Sequence, residues 1–557
     1  MGESIPQEDR NGIISVFNKD GVVDLAKGLD ELGFQLYSTG GTGQRISEAG
    51  IDVEDISELT GNPEILDDRV KTIGFKTAAG ILARDTEADR ATLEEYDARW
   101  LSAVVFNFYD FDSAAADPNN TEDKIWEMID IGGPSSIRAA VKGKRLPLVN
   151  PDHYAETLDR LRNGTLDEEF RRKLYTEAFY TTASYDTSIA TWLGRGAVFG
   201  FVGKESDLKL KYGENGYQEA KFYEEKTDYP LAFPTKFEQL LGGEPGRTNL
   251  TDSDRLLKTA IKIAATFEKN FDEHPLIAVG GKHGNACGAA VGTDPVEVAT
   301  NMRMGNELSI FGGIVVLNFE VDEDVAKALV TDSKGETKLL SGIVAPSFTA
   351  EALNIITDSR KQTVLVFANP ELSDLGVKSL DTRQNVRQLS GGYITQDPSN
   401  ALYDFADPAI KNWGEMTDKV RRDLLLADAI CTTSNSNTMT YVRDGMLIAN
   451  AVGQQDRVGA VELGQRIGYK AGHGTRSEWL EDEERVIYHL DGAAVASDSF
   501  FPFEDGMERL VEAGVVAVLS RYTTNEKRDN RVAQVALDKG AAVTMLPDAT
   551  HRGFEAH

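Results

Sequence analysis

Residues 279–292, VGGKHGNACGAAVG, set a lysine beside a histidine, follow them with a cysteine, and surround all three with glycine. Three chemistries draw on such residues: a metal site, a thiol nucleophile, or a proton-handling pair. Neighbours in a regular strand point to opposite faces, so Lys282 and His283 can serve one site only where the backbone leaves the strand. Gly280, Gly281, Gly284 and Gly288 give it that freedom. Zinc is disfavoured, because Cys287 has no C-x-x-C partner and His283 no H-x-x-x-H partner. Nothing specific supports Cys287 as a nucleophile. A histidine beside a permanent cation suits proton transfer near neutral pH, with the lysine stabilising developing negative charge. A hydrogen-bonded structural histidine is the competing reading.

Other groupings invite the same double reading. STGGTG, Ser38 to Gly43, lies between a strand and a helix, where successive N–H groups can converge on an oxyanion; a plain tight turn fits equally. Arg69, Lys71 and Thr72 form an anion clamp or surface charge. Asn107 and Tyr109 stand at a strand end, where open α/β sheets bind ligands. In IDIGGPSSIRAAVKGK, Asp130 precedes a Gly-Gly-Pro helix start, and Arg138 and Lys142 share a helical face. These are a cap and a solvated tip, or part of the surround of a small anionic ligand. Farther on, TTSNSNTMTYVRDGM gathers amides and hydroxyls around Asn435. The run Phe500, Phe501, Pro502, Phe503 is followed by Asp505. That run can hold a flat heterocycle or simply be core.

The elements that must position these residues alternate. Residues 12–51 read strand, helix, strand, glycine turn, helix, with Gly33 as a helix stop. Strands follow at LSAVVFNFY and LPLVN, then a largely helical stretch to about residue 205. This predicts a doubly wound parallel sheet over 1–205 and a second α/β region over 206–557. No fixed sequence period is evident. The 557 residues carry 90 acidic against 59 basic side chains, a net charge of −31. The excess is spread along the chain and opposes nucleic-acid binding. It reads as a well-solvated acidic surface or as adaptation to high salt. No apolar run has the length of a membrane span, no secretory signal is seen, and two distant cysteines form no disulfide framework; a cytoplasmic protein is expected.

In chain order, STGGT, RVKT, NxY, IDIGGPxxxRAAxK, YGEN, KHxNxCG, FGG, SNS, GQQxR and ASDxFFPFxDG resemble the bifunctional purine-biosynthesis enzymes joining aminoimidazole carboxamide ribotide formyltransferase to IMP cyclohydrolase. The resemblance implies an N-terminal methylglyoxal-synthase-like cyclohydrolase domain. It also implies a C-terminal transformylase of two cytidine-deaminase-like α/β units without the deaminase zinc. Carried over by motif, Lys71, Tyr109, Asp130 and Lys142 are the cyclohydrolase residues. Ser15, Lys19, Ser38, Thr39, Gly40, Gly41, Thr42, Arg69, Thr72 and Asn107 would hold the nucleotide. In the transformylase, His283 would receive a proton relayed through the substrate carboxamide, Lys282 would stabilise the oxyanion, and Asn435 would fix the carboxamide or formyl oxygen. Lys211, Tyr212, Arg457 and Arg552 match substrate-binding positions; Phe503 and Asp505 match the pterin-binding segment. The resemblance further implies 10-formyltetrahydrofolate as co-substrate, no metal, nucleotide and folate ligands, no membrane, and a homodimer.

The chain departs from the family pattern in places. KTIGFKTAAGIL has Gly74 and Ala78 where the family has histidines, NFYDF has Asp110 for a proline, and LKYGENGYQ has Lys211 for arginine and Tyr217 for histidine. SRYTTNEKRDN stands in place of a glycine-serine loop. Lysine lacks arginine's bidentate grip on phosphate. Two alternatives therefore stand beside the bifunctional reading: a transformylase with a silent nucleotide-binding first domain, and a non-catalytic nucleotide sensor.

Overall fold

A computed structural model describes residues 5–61, 66, 70–195, 200, 202–225, 227–331, 335–337, 339–360, 363–471 and 490–554. The chain divides into two compact units, Met1–Lys204 and Glu205–His557.

In the first unit Ile13 and Ile14 are both fully buried, on opposite faces of one strand. That is why its strands read as unbroken apolar runs: each is covered by helices on both sides. The sheet is five-stranded and parallel, in the order Glu54–Asp55, Gln35–Ser38, Asn11–Val16, Ala103–Asn107, Leu146–Leu148. The chain builds outward from Asn11–Val16 on one side, then crosses to Ala103–Asn107 on the other. This switch point opens a crevice beyond Val16 and Asn107, where such sheets take ligands. Gly33 ends the helix Val22–Glu31 with φ +78°.

The second unit has a twelve-stranded sheet built from one plan used twice. In the first half an edge strand Glu238–Leu241 leads into helix Arg247–Phe271, then the hairpin Leu276–Lys282 and Asn285–Gly292. Three parallel strands, Ile314–Leu317, Gly342–Ala345 and Leu365–Ala368, complete it. The second half repeats the order: edge strand Lys411–Trp413, helix Asp418–Cys431, hairpin Met439–Arg443 and Met446–Ala451, then Ala494–Ser497, Ala517–Tyr522 and Ala542–Pro547. The halves join antiparallel through the second strands of their hairpins, Ala290 opposite Met446. The two long helices share one core with both halves. The duplication leaves no period in the sequence, because the helices differ in length, 25 against 14 residues, and a separate hairpin, Asn385–Leu389 with Gly392–Gln396, lies between the halves.

Candidate active sites

At the crevice of the first unit, side chains from both flanking loops interlock. Ser15 and Thr39 share a hydroxyl hydrogen bond of 2.8 Å, and Thr42 Oγ1 donates to the Val16 carbonyl at 3.1 Å. Asn107 Oδ1 accepts from the Phe17 and Asn18 amides at 2.5 and 2.9 Å, and its Nδ2 donates to the Asn18 carbonyl at 2.8 Å. Asn107 thus fixes the loop after the first strand. Lys19 folds back to donate to the Val16 carbonyl, and burial lowers its pKa. Ser38 is buried and donates to the Ile14 carbonyl at 2.6 Å, so its hydroxyl is turned into the sheet.

Lys71 reaches this cluster: a Cβ built on Gly40, the first residue of helix Gly40–Glu48, would lie 3.7 Å from its ammonium. Gly41, one residue on, has open space around it. Buried Thr72 touches the start of the helix Gly132–Lys142, where a Cβ on Gly132 would lie 2.5 Å from its hydroxyl. Just before that helix, Asp130 Oδ1 accepts from the Gly133 amide at 3.0 Å. Its own amide donates to the Tyr185 hydroxyl at 2.7 Å, which donates to the Met128 carbonyl at 2.6 Å. Burial raises the Asp130 pKa, and the Gly133 and Gly132 amides oppose that rise. Tyr109 is 42% exposed and stands edge-on to Phe17, ring centres 5.7 Å apart.

Lys142 stands at the other end of the helix Gly132–Lys142. It is the last residue of the helix that Asp130 precedes, about 15 Å along the axis, so the structure does not bring it to Asp130. Arg69 lies outside the described residues. Gly74 and Ala78 sit one helical turn apart, the Ala78 amide donating to the Gly74 carbonyl at 3.0 Å, directly after Lys71 and Thr72. Asp110, replacing the family proline, caps the helix Phe111–Ala116 by accepting from the Ser113 amide at 3.2 Å.

In the second unit the backbone leaves the strand at His283. Lys282 pairs with Asn285, leaving His283 and Gly284 as a two-residue turn with φ +53° and +69°, the signature of a tight hairpin. Half-buried Asp252, from the helix Arg247–Phe271, holds the turn: Oδ2 accepts from the His283 amide at 3.0 Å, and the Gly284 amide bonds the same carboxylate. Burial raises its pKa against those two bonds. Asn285 Nδ2 donates to the His283 carbonyl at 2.9 Å, and its Oδ1 accepts from the Asn435 amide at 3.0 Å. Arg255 donates to Asn435 Oδ1 at 3.1 Å and to the Thr433 carbonyl at 3.3 Å. Lys282, His283 and Asn435 are therefore held in one hydrogen-bonded neighbourhood, with the imidazole exposed. Burial pushes the Cys287 thiol up to about 12, so it stays protonated at neutral pH and is no thiolate nucleophile.

Gly284 is required twice over. Its φ is left-handed, and a Cβ there would lie 2.4 Å from Arg255 Cδ. Gly284→Ala is expected to cost about 1–3 kcal/mol of stability, the range for a strained backbone position. It should also shift Arg255 off Asn435 and lower turnover; urea unfolding beside a rate assay reads both.

Arg457, expected to bind substrate, is drawn into the protein. Its side chain is 9% exposed and already engaged: it bonds Asp498, donates to Ser497 Oγ at 3.1 Å and to Asn437 Oδ1 at 2.9 Å. Asp498 in turn accepts from Ser436 Oγ at 2.7 Å. Arg457 braces the loop carrying Asn435. Arg552 is paired with Asp548. Phe501 is core, whereas Phe503, 67% exposed, and Asp505 at the start of helix Asp505–Glu512 face solvent. Lys211 lines a cavity of about 400 Å³ with Lys209 and Lys221, and the Tyr212 ring packs on Gly246. Asp252, Arg255 and Tyr185 carry no sequence signal of their own; Asn437, Asp498 and Asn285 stood inside quoted motifs without an assigned role.

A parallel sheet with a loop-lined crevice, joined to a duplicated α/β sheet bearing a Lys–His turn, defines a two-unit α/β enzyme. Residues 144–466 match the AICARFT/IMPCHase bienzyme family and residues 21–135 an MGS-like domain. The chain is 34% identical over 526 residues to the bifunctional purine biosynthesis protein PurH of Bacillus cytotoxicus, covering 92% of this chain and 93% of that protein. PurH of Bacillus thuringiensis (strain Al Hakam) is 34% identical over 521 residues, with coverage of 92% and 93%. A crystal structure of ForH aligns at 33% identity over 33% of this chain and 99% of its own, with a TM-score of 0.30, too low to speak to the fold. The chain belongs to the AICARFT/IMPCHase bienzyme family.

Proposed function

We propose that this enzyme catalyses the last two steps of IMP synthesis: formyl transfer from 10-formyltetrahydrofolate to aminoimidazole carboxamide ribotide, then dehydrative ring closure. The observation that carries the reading is the Lys282–His283 turn tied through Asn285 to Asn435. The substrate amine, conjugated to the imidazole carboxamide, is a poor nucleophile and needs its proton removed as it attacks. Its nitrogen bonds the formyl carbon while a proton passes through the carboxamide to His283. Lys282 faces the oxygen on which charge develops. The carbon–nitrogen bond to tetrahydrofolate then breaks, and that nitrogen takes up a proton. In the first unit, the carboxamide nitrogen attacks the formamido carbon and water leaves. Lys71 and Asp130 orient and polarise the reacting groups, Tyr109 stands at the crevice mouth, and the Gly40 helix start with Ser15 and Thr39 receives the phosphate. We take the working form to be a cytoplasmic homodimer; no described helix is long and apolar enough to cross a membrane.

One absorbance time course tests the whole. Purified protein, in low and in high potassium chloride, receives the ribotide and 10-formyltetrahydrofolate, and formylated intermediate is resolved from IMP. IMP forming without accumulation of intermediate is the expected result. Intermediate without IMP removes the cyclohydrolase half, and no turnover in either salt overturns the proposal.

A further inference from the structure

The duplication of the second unit provides an internal comparison. In the first half, Asp252 accepts from the amides of a turn formed by His283 and Gly284. In the second half, Asp423, on the matching helix Asp418–Cys431, accepts from the amides of Asp444 at 3.0 Å and Gly445 at 2.8 Å. Those residues form the matching two-residue turn, with φ +57° and +71°. An aspartate clasping a left-handed hairpin turn is thus common to both halves and belongs to the fold. Asn285 is not common: Met446 stands at its place in the second hairpin.

What Asn285 does is equally distinctive. Its amide bonds in two directions, to the His283 carbonyl at 2.9 Å and from the Asn435 amide at 3.0 Å. These partners come from the two halves of the duplicated unit, so one short side chain sets the distance between the proton-accepting turn and the loop that fixes the substrate. The chemistry of the partners fixes its orientation, because a carbonyl requires the NH₂ end and an amide N–H the oxygen. We infer that Asn285 is a positioning residue for formyl transfer, acting by holding His283 in register with Asn435. The inference rests on the proposed transformylase reading.

The side chain is short and rigidly engaged, so a small change should break the register without unfolding the hairpin. Asn285→Asp keeps the acceptor for Asn435 but loses the donor to His283; Asn285→Ala loses both. Misplacement of a catalytic group by about 1 Å costs about 100-fold in rate. Formyl-transfer kcat should fall by up to that factor in Asn285→Ala and by less in Asn285→Asp. The KM for the ribotide should change little, and ring closure of preformed formylated nucleotide should be untouched. Asp423→Asn is the structural control, expected to lower the unfolding midpoint while formyl transfer persists. Hydrogen exchange of the peptides containing residues 283–285 and 435, in the intact protein, reads the clasp without any assay and should quicken in Asn285→Ala. Quickened exchange with kcat unchanged overturns the inference and leaves the transformylase reading standing. So does a kcat loss in Asp423→Asn matching that in Asn285→Ala, which would make the effect one of general stability. A wild-type protein without formyl transfer defeats the transformylase reading instead, and exchange still reports whether Asn285 joins the two halves.

Discussion

Replacing His283 is expected to lower formyl transfer by about 10²–10⁴-fold, the contribution of a positioned general base, while ring closure of preformed formylated nucleotide proceeds at the wild-type rate. The variant must be chosen for the backbone it inherits. His283 occupies a left-handed conformation with φ +53°, which alanine tolerates poorly and asparagine tolerates well. The second half of the unit shows that a short polar side chain fits such a turn, since Asp444 takes the matching place at φ +57°. His283→Asn therefore removes the base and keeps the turn, its amide still bonded to Asp252. His283→Ala adds strain to the chemical loss. Equal kcat values for the two variants with unequal unfolding midpoints would separate the contributions. Loss of ring closure along with formyl transfer would mean that the two reactions do not divide between the two units, and would sink the assignment.

How far such a site was legible before the fold depended on whether its parts were close in sequence. The glycines around Lys282–His283 announced a departure from strand geometry, and the turn is where that departure falls. The alternating pattern of the first third likewise foretold a parallel sheet, because strands that alternate with helices are joined by crossovers and run parallel. Lys142 shows the opposite limit: a motif groups residues along the chain, but one helix length separates this lysine from Asp130. Arg457 matches a substrate-binding position in the sequence, and only the fold reveals Asp498 buried beside it. Asp252 and Asp423 were invisible for a related reason. Each is an ordinary acid on a long helix, distinguished only by the amides packed against it. The two α/β units of the second region were legible through the family resemblance alone, since the duplication resides in the order of connections and not in any repeated residues.

Asp130→Asn should abolish ring closure while leaving the protein at least as stable at neutral pH. The carboxyl is half-buried beside Phe108 and the helix start, and that burial raises its pKa above the ordinary carboxylate value. The folded state therefore holds this proton to higher pH than the unfolded chain does. Stability from the group is present below the unfolded pKa of about 3.9. It is lost as pH rises through the folded value, so at neutral pH the ionised group opposes folding. Asparagine keeps an oxygen to accept the Gly133 amide at nearly the same place and carries no charge. It removes the cost and preserves the bond. Its stability advantage should be greatest near neutrality and shrink as pH falls toward the unfolded value, read as unfolding midpoints across that range. On the proposed mechanism, ring closure needs the charge that stability would rather lose: a neutral amide can neither take a proton nor balance Lys71, and a loss of about 10²–10⁴-fold is expected. Formyl transfer in the second unit serves as the internal reference and should not change. A variant that closes the ring at the wild-type rate would remove Asp130 from the chemistry. One that is inactive but less stable at neutral pH would show that the carboxylate is there to hold the helix start, since only a group kept for its reaction is retained at a cost to the fold.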